Sequence, residues 1–95
     1  MLLKPVSDGP VTTAGQATGT LTFESRILGG ALISGDSSTE GVVTLQQDNS
    51  SGKTVFSIKT KQPMFITGPI QLDRQAGYYT VSGSGGEVMF FEWVS

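Results

Sequence analysis

The chain has 95 residues and a formal net charge of −2, and its charged fraction of 15% lies well below the roughly 25% usual in soluble domains. It contains no cysteine and no histidine, which excludes disulfides, thiolate metal sites and the commonest general base. One domain is expected at this length, and 6 basic residues are too few for the basic surface of a nucleic-acid-binding protein.

The apolar residues are scattered along the chain, and no run of about 20 of them could form a membrane-spanning helix. The first residues, "MLLKP", have too little apolar content for a signal peptide. We therefore expect synthesis in a cytoplasm and no membrane partner.

Residues 1–19 form the first predicted element, which is rich in proline, glycine and threonine. Pro5 and Pro10 would interrupt a long hydrogen-bonded ladder. We predict an extended N-terminal arm or the lead-in to an edge strand, with a loosely ordered terminus as the alternative. Residues 20–95 are predicted to form a single β-sandwich domain.

After the arm, short runs of alternating apolar residues recur about every ten residues, with turn residues between them. The runs are "TLTFES", "ILGGALIS", "VVTLQQ", "TVFSIKT", "MFIT", "GPIQL", "YYTVSGS" and "EVMFFEWVS". The pair Gly29–Gly30 predicts a bulge or bend, and Gly68–Pro69 predicts a turn. No window of about 11 residues shows the apolar spacing of a helix.

This pattern predicts an all-β fold. Short strands with regular turns are typical of an antiparallel β-sandwich, here of about eight strands. The sandwich would be jelly-roll-like if its two sheets exchange strands, and a small closed barrel is the alternative.

The closing run, "EVMFFEWVS", is unusual because it carries apolar side chains on both faces of a strand. The two sets are Val88, Phe90 and Val94, and Met89, Phe91 and Trp93. The second set could lie under a loop or the arm, face another subunit, or form an aggregation-prone surface controlled by Glu92. Burying it is worth about 4–8 kcal/mol, and we favour the subunit interface.

Candidate catalytic groups do not form a recognisable constellation. The carboxylates considered are Asp36 with Glu40, Asp48, and Glu87 with Glu92. Their spacing does not single out two carboxyls placed across a cleft, as a glycosidase needs. The many serine and threonine hydroxyls lack a histidine to activate them. We expect a protein that is not an enzyme.

Two turn sequences could suggest a bound phosphate or cation. "SSGKT" at 50–54 ends like a phosphate-binding loop, but Gln47 stands where that motif needs glycine, and a strand pattern follows. "DSSTE" and "DNSSG" supply too few acidic residues for calcium. We interpret these segments as turns and expect no metal and no cofactor.

The adjacent tyrosines, Tyr78 and Tyr79, face opposite ways if they lie on a strand. One hydroxyl is then expected to be buried and hydrogen-bonded, and the other ring to be exposed. An exposed aromatic ring on a β-sandwich can stack on a sugar. A carbohydrate-binding or host-recognition module is therefore the alternative function.

Residues 27–93 contain "ILGGALIS…GVVTLQQDNSSGKTVFSI…PIQLDRQAGYYTVSGSGGEVMFFEW". This order of a glycine-rich strand, a "SGK" hairpin, a "GYY-x-VSGSG" strand and a short last strand resembles a class of small phage virion proteins. The resemblance implies a capsid decoration (cement) or tail-associated structural subunit that assembles as a symmetric oligomer. It carries over no functional residue.

The function expected from these observations is that of a non-enzymatic virion structural protein. Its partners would be its own copies, in a homo-oligomer expected to be a trimer, and the major capsid protein or another virion protein. The expected interface residues are Met89, Phe91, Trp93, Tyr78 and Tyr79. Many weak attachments to a lattice would give strong overall binding.

Overall fold

The computed structural model describes residues 2–6, 18–33, 40–82 and 87–94. These residues form eight strands, and every strand pair is antiparallel. The strands are β1 (Leu2–Pro5), β2 (Thr18–Thr22), β3 (Ile27–Ile33), β4 (Gly41–Gln47), β5 (Thr54–Thr60), β6 (Met64–Gln71), β7 (Ala76–Ser82) and β8 (Val88–Val94).

The strands form two four-stranded sheets. Sheet I has the order β1-β8-β3-β6, and sheet II has the order β2-β7-β4-β5. Every step between consecutive strands passes from one sheet to the other, except the β4–β5 hairpin. This exchange is the topology of a jelly roll, and the predicted antiparallel sandwich is confirmed.

The core lies between the sheets and is made by the inward parity of each strand. Phe90 on β8 is central, because its ring centroid lies 6.3 Å from those of Phe56 and Tyr79 on sheet II. The other buried apolar residues are Val6, Leu21, Phe23, Leu28, Ala31, Ile33, Val43, Leu45, Leu72, Val81 and Val88. The alternating runs in the sequence therefore fill one shared core.

The predicted irregularity at Gly29–Gly30 is confirmed as a β-bulge. The register of β3 against β8 shifts between Leu28 and Gly30. Gly30 has φ of 152°, and a Cβ there would lie 2.4 Å from the carbonyl oxygen of Ile66. Glycine is required at this position by both the backbone conformation and the close approach of β6.

The predicted turn at Gly68–Pro69 is wrong, because β6 continues through both residues. The peptide bond between them is cis. In the register, these two residues lie between Thr67, opposite Gly30, and Ile70, opposite Leu28. They thus form a bulge on an edge strand, where proline removes no ladder hydrogen bond from an inner pair.

The predicted N-terminal arm begins inside the sandwich. β1 pairs with β8 at the edge of sheet I, and Val6 is only 1% exposed. Residues 2–6 therefore belong to the domain, and the predicted boundary between residues 19 and 20 falls within β2. Residues 7–17, which include Pro10, lie outside the described residues.

Candidate functional site

Strand β8, which has apolar side chains on both faces, is an inner strand of sheet I between β1 and β3. On its inward parity Val88, Phe90 and Glu92 are buried, and Val94 at the end of the strand is partly buried. The side chains of Met89, Phe91 and Trp93 are on the other parity and are only partly buried. The second apolar set is thus neither enclosed within the protomer nor fully exposed.

Neighbouring strands extend this outward surface with further apolar residues. Leu3 on β1 lies opposite Trp93, and Leu32 on β3 lies between Met89 and Phe65 in the register. Leu3 is 41% exposed, and Leu32 and Phe65 are each 44% exposed. We call the set the apolar face: Leu3, Leu32, Phe65, Met89, Phe91 and Trp93.

The glycine pair in β3 allows the large side chains of the apolar face to meet. A Cβ on Gly29 would lie 3.3 Å from the Cδ1 atom of Trp93, and one on Gly30 would lie 3.1 Å from Cζ of Phe65. The rings of Phe65 and Phe91 contact edge to face, with centroids 6.0 Å apart. The side chains therefore cover the glycine backbone and form one continuous surface.

The apolar face is uncharged. The other described outward positions beside it on sheet I hold Pro5, Ile27, Gly30, Thr67, Pro69 and Gln71, none of which can ionise. Lys4, on the other parity of β1, forms a salt bridge with Glu24. A partner for this surface is therefore selected by shape and apolar character and not by charge.

Glu92 does not control the apolar face, so that interpretation is wrong. The residue is on the inward parity and is 1% exposed. Its Oε1 atom accepts hydrogen bonds from the backbone N–H groups of Glu24, at 2.8 Å, and Ser25, at 3.0 Å. These charge-assisted bonds attach the β2–β3 connection to β8.

The two tyrosines do not share the surface of Met89, Phe91 and Trp93. Tyr79 is 8% exposed and packs in the core, so its prediction as an interface residue is corrected. Tyr78 is partly buried on the outward parity of β7 in sheet II. The five predicted interface residues therefore lie in three places. Met89, Phe91 and Trp93 are on the outer face of sheet I, Tyr78 is on the outer face of sheet II, and Tyr79 is in the core.

Leu3, Leu32 and Phe65 belong to the apolar face but are not indicated by the sequence pattern. The pattern places Leu3 in the arm and Phe65 in a short strand whose neighbours it does not identify. The bulge changes the parity of β3 after Gly29. Because Leu32 lies between two other apolar residues, simple alternation does not show that its side chain faces outward. The available signal was the glycine pair itself, since a bulge resets the alternation.

The other candidate groups are separated in the fold. Glu87 is exposed at the start of β8, and Glu40 is exposed just before β4, whereas Asp36 lies outside the described residues. Within the described ranges, no group of three or more acidic, histidine or cysteine residues could hold a metal. "SSGKT" ends a hairpin turn and leads into β5, as predicted.

No protein-family model matches the chain, and neither a curated protein nor a solved structure is significantly similar to it. Within the residues that the structure describes, no helix has the length and apolar character needed to cross a bilayer. The surfaces of the sandwich are therefore the features that bear on its function.

Proposed function

We propose that the protein is a non-enzymatic virion structural subunit that self-associates through the apolar face and decorates a viral shell. The observation that carries this proposal is the continuous, uncharged set of six large apolar side chains across sheet I. Leu3, Leu32 and Phe65 remain 41–44% exposed in the protomer. Covering them would remove apolar surface from water, which favours association.

A second copy of the chain is the occupant that best fits this face. An apolar surface gains nothing from a charged partner, and a charged group buried against it would lose its hydration. The same face of another protomer supplies large apolar side chains and no charge. Self-association is also the commonest arrangement among soluble assemblies.

The size of the face indicates a contact of modest affinity. The four strands of sheet I have 4, 7, 7 and 8 residues. At about 3.3 Å per residue and about 4.8 Å between strands, they give a projected area of roughly 400 Å². A standard interface buries about 800 Å² per partner. Such a contact suits a protein that acts in many copies, because repeated attachment to a lattice multiplies a weak affinity.

The jelly-roll topology and the resemblance to small phage virion proteins support the viral assignment by analogy. Jelly rolls are found in viral capsid domains and in lectins, so the fold alone does not choose between assembly and sugar binding. The apolar face favours assembly, because sugar sites need polar groups to orient hydroxyls.

The expectation of a trimer stays a prediction. A pair that joins two copies of one face is two-fold symmetric, whereas a closed trimer places the face against a different surface of the next protomer. Native mass spectrometry counts the copies and separates these arrangements.

The test of self-association is sedimentation velocity over a micromolar concentration series. We expect the wild-type chain to associate as its concentration rises and Trp93→Glu to remain monomeric, because the variant places a charge in the contact. A wild-type chain that stays monomeric throughout would contradict the proposal.

The virion assignment needs its own experiment. Mass spectrometry of purified phage particles from the strain that carries the gene should detect the protein at a copy number comparable to that of a shell subunit. A gene position beside a major capsid or portal gene would support the same conclusion. Absence of the protein from the particles would contradict the viral role while leaving self-association intact.

A further inference from the structure

A polar cleft lies at one end of the sandwich, where the β4–β5 turn meets the β6–β7 loop. Its volume is about 510 Å³, within the roughly 300–1,000 Å³ typical of small-molecule sites. The lining includes Gln47, Asp48, Asn49, Lys53, Asp73 and Arg74. These residues are remote in sequence and are brought together by the pairing of β4 with β7.

Hydrogen bonds hold the two sides of the cleft together. The Asp73 N–H donates to Oε1 of Gln47 at 2.9 Å, and the Asp48 N–H donates to the Ala76 carbonyl at 3.2 Å. Across the turn, the Gln47 N–H donates to the Lys53 carbonyl at 2.8 Å. The cleft is thus formed before any ligand arrives, which lowers the cost of binding.

The charged side chains of the cleft balance each other without pairing. Asp48 and Asp73 contribute two negative charges, and Lys53 and Arg74 contribute two positive charges. No salt bridge joins any two of these four side chains. Because the two signs balance, the lining has no net attraction for a phosphate or for a cation. Its carboxylate, amide, ammonium and guanidinium groups fit a neutral ligand with many donors and acceptors.

The neighbouring surface of sheet II narrows the ligand class further. Gln46, whose side-chain N–H₂ group donates to the turn carbonyls of Ser50 and Gly52 at 3.1 and 3.0 Å, pairs with Tyr78 in the register. The ring of Tyr78 therefore lies one strand away from the wall of the cleft, on an outward face. Hydrogen-bonding side chains beside an aromatic ring suit a sugar, whose hydroxyls bind the polar groups while its apolar face stacks on the ring. A small zwitterion would make no such stacking contact.

We propose that this cleft binds a neutral carbohydrate, with one sugar unit between Asp48 and Arg74 and the adjoining unit towards Tyr78. The carboxylates accept from sugar hydroxyls, and the guanidinium and ammonium groups donate to sugar oxygens. The site is separate from the apolar face, because the cleft lies at one end of the sandwich and shares no residue with the outer surface of sheet I. A self-associated assembly would thus leave it open.

The test is an NMR titration of the ¹⁵N-labelled full chain with glucose, galactose, mannose, N-acetylglucosamine and their neutral disaccharides. At least one sugar is expected to shift the amide signals of residues 47–53 and 73–74, with a disaccharide also shifting Tyr78. Asp48→Asn and Arg74→Gln should each weaken binding about ten-fold, the effect of losing one charge-assisted hydrogen bond.

The matched control is Glu40→Gln, which also changes one carboxylate to an amide. Glu40 precedes the first residue of β4, whereas the cleft is at the last residue of that strand. It should bind as the wild type does. Arg74 is exposed, so its variant should fold normally, and circular dichroism verifies this. Asparagine also tolerates the φ of 60° recorded for Asp48.

Three outcomes would overturn the proposal: no shift in the cleft with any sugar, tighter binding of inorganic phosphate than of sugar, or tighter binding of glycine than of sugar. The last two would identify an anion site or a zwitterion site. Trp93→Glu should bind the sugar as the wild type does, so failure of the assembly proposal and failure of this one remain distinguishable.

Discussion

The two outward faces of the sandwich share one backbone pattern and differ in chemistry. On sheet I, the outward parity of the inner strands carries Leu32, Met89, Phe91 and Trp93. On sheet II, the register aligns Thr18, Thr80, Thr44 and Ser57 in a row across all four strands. The inward parities of both sheets are mainly apolar, with the buried Glu92 on β8 as the charged exception. Folding thus constrains the inner faces, and the outer faces are free to differ.

Sheet II follows the alternation expected of a sheet with one solvated side, and sheet I does not. A half-polar sheet gains its stability from the core and needs no partner. A sheet that is apolar on both sides keeps large side chains in water unless something covers them. The departure from alternation on sheet I is therefore the best indicator of where the molecule binds.

The largest expected effect comes from placing one lysine on each face. Leu32→Lys puts an unpaired charge in the middle of the apolar face, where losing its hydration on association should weaken self-association about 100-fold or more. Thr44→Lys makes the matched change on the inner strand β4 of sheet II. Sedimentation velocity should show a monomer for the first variant and wild-type association for the second.

Equal behaviour of the two lysine variants would remove the distinction between the faces. If Thr44→Lys abolishes association and Leu32→Lys does not, sheet II forms the contact. Thermal unfolding of both variants verifies that a change in association does not come from unfolding.

The second effect concerns the glycine that supports the apolar face. Gly30→Ala should lower the free energy of unfolding by about 2–3 kcal/mol, because alanine is strained at this φ and its Cβ approaches the Ile66 carbonyl. The matched variant in sheet II is Gly77→Ala. There, the Cβ would meet side-chain atoms of Leu45 and Phe23 at 3.0 and 3.2 Å, which can move.

Urea unfolding measures the free energy of unfolding of both glycine variants, and Gly30→Ala should lose more of it than Gly77→Ala. A loss of about 2 kcal/mol corresponds to a fall in Tm of roughly 8–16 °C for a domain of this size. An equal loss in the two variants would mean that general packing, and not the backbone conformation of Gly30, sets the cost.

The third effect separates the two sides of β8. Glu92→Gln removes the charge that strengthens the bonds from Glu24 and Ser25, and should cost about 1–2 kcal/mol. Because Glu92 faces inward, association through the apolar face should be unchanged in sedimentation. The exposed Glu87→Gln should change stability by less than about 0.5 kcal/mol. A loss of association in Glu92→Gln would contradict this prediction, because it would show that the inward side of β8 affects the contact made by its outward side.

The sequence predicted the sandwich well because alternation is a local property of each strand. The bulge at Gly29–Gly30 was also predicted, since glycine identifies it directly. The turn at Gly68–Pro69 was wrong because proline is excluded from inner strands only, and whether β6 is an edge strand depends on sheet order. Local signals do not contain that order.

The candidate sites were harder to predict for the same reason. The apolar parity of Met89, Phe91 and Trp93 was visible in the sequence, but its extension to Leu3 and Phe65 depends on which strands flank β8 and β3. The polar cleft brings Asp48 close to Arg74 although 25 residues separate them. In the sequence, the β4–β5 turn and the β6–β7 loop each look like an ordinary turn, and only the sheet topology shows that they form one cleft.

The smallest expected effect tests how firmly the hydroxyl groups of sheet II are held. Thr44 Oγ1 and Ser57 Oγ are 2.9 Å apart across β4 and β5. A double-mutant cycle with Thr44→Val and Ser57→Ala should give a coupling of about 0.2–1 kcal/mol, the usual value for a cross-strand pair. Urea unfolding of the four proteins in the cycle measures it.

A coupling near zero would mean that these hydroxyls exchange freely between each other and water. Binding a sugar hydroxyl would then cost little at this pair, and Thr44 and Ser57 would be available to a ligand. A coupling of the expected size would mean that the pair supports the sheet, because a ligand would have to compete with its hydrogen bond. The coupling energy of this pair therefore decides whether the hydroxyls of sheet II stabilise the fold or are available for binding. For sheet I, the corresponding measurement is self-association through the apolar face.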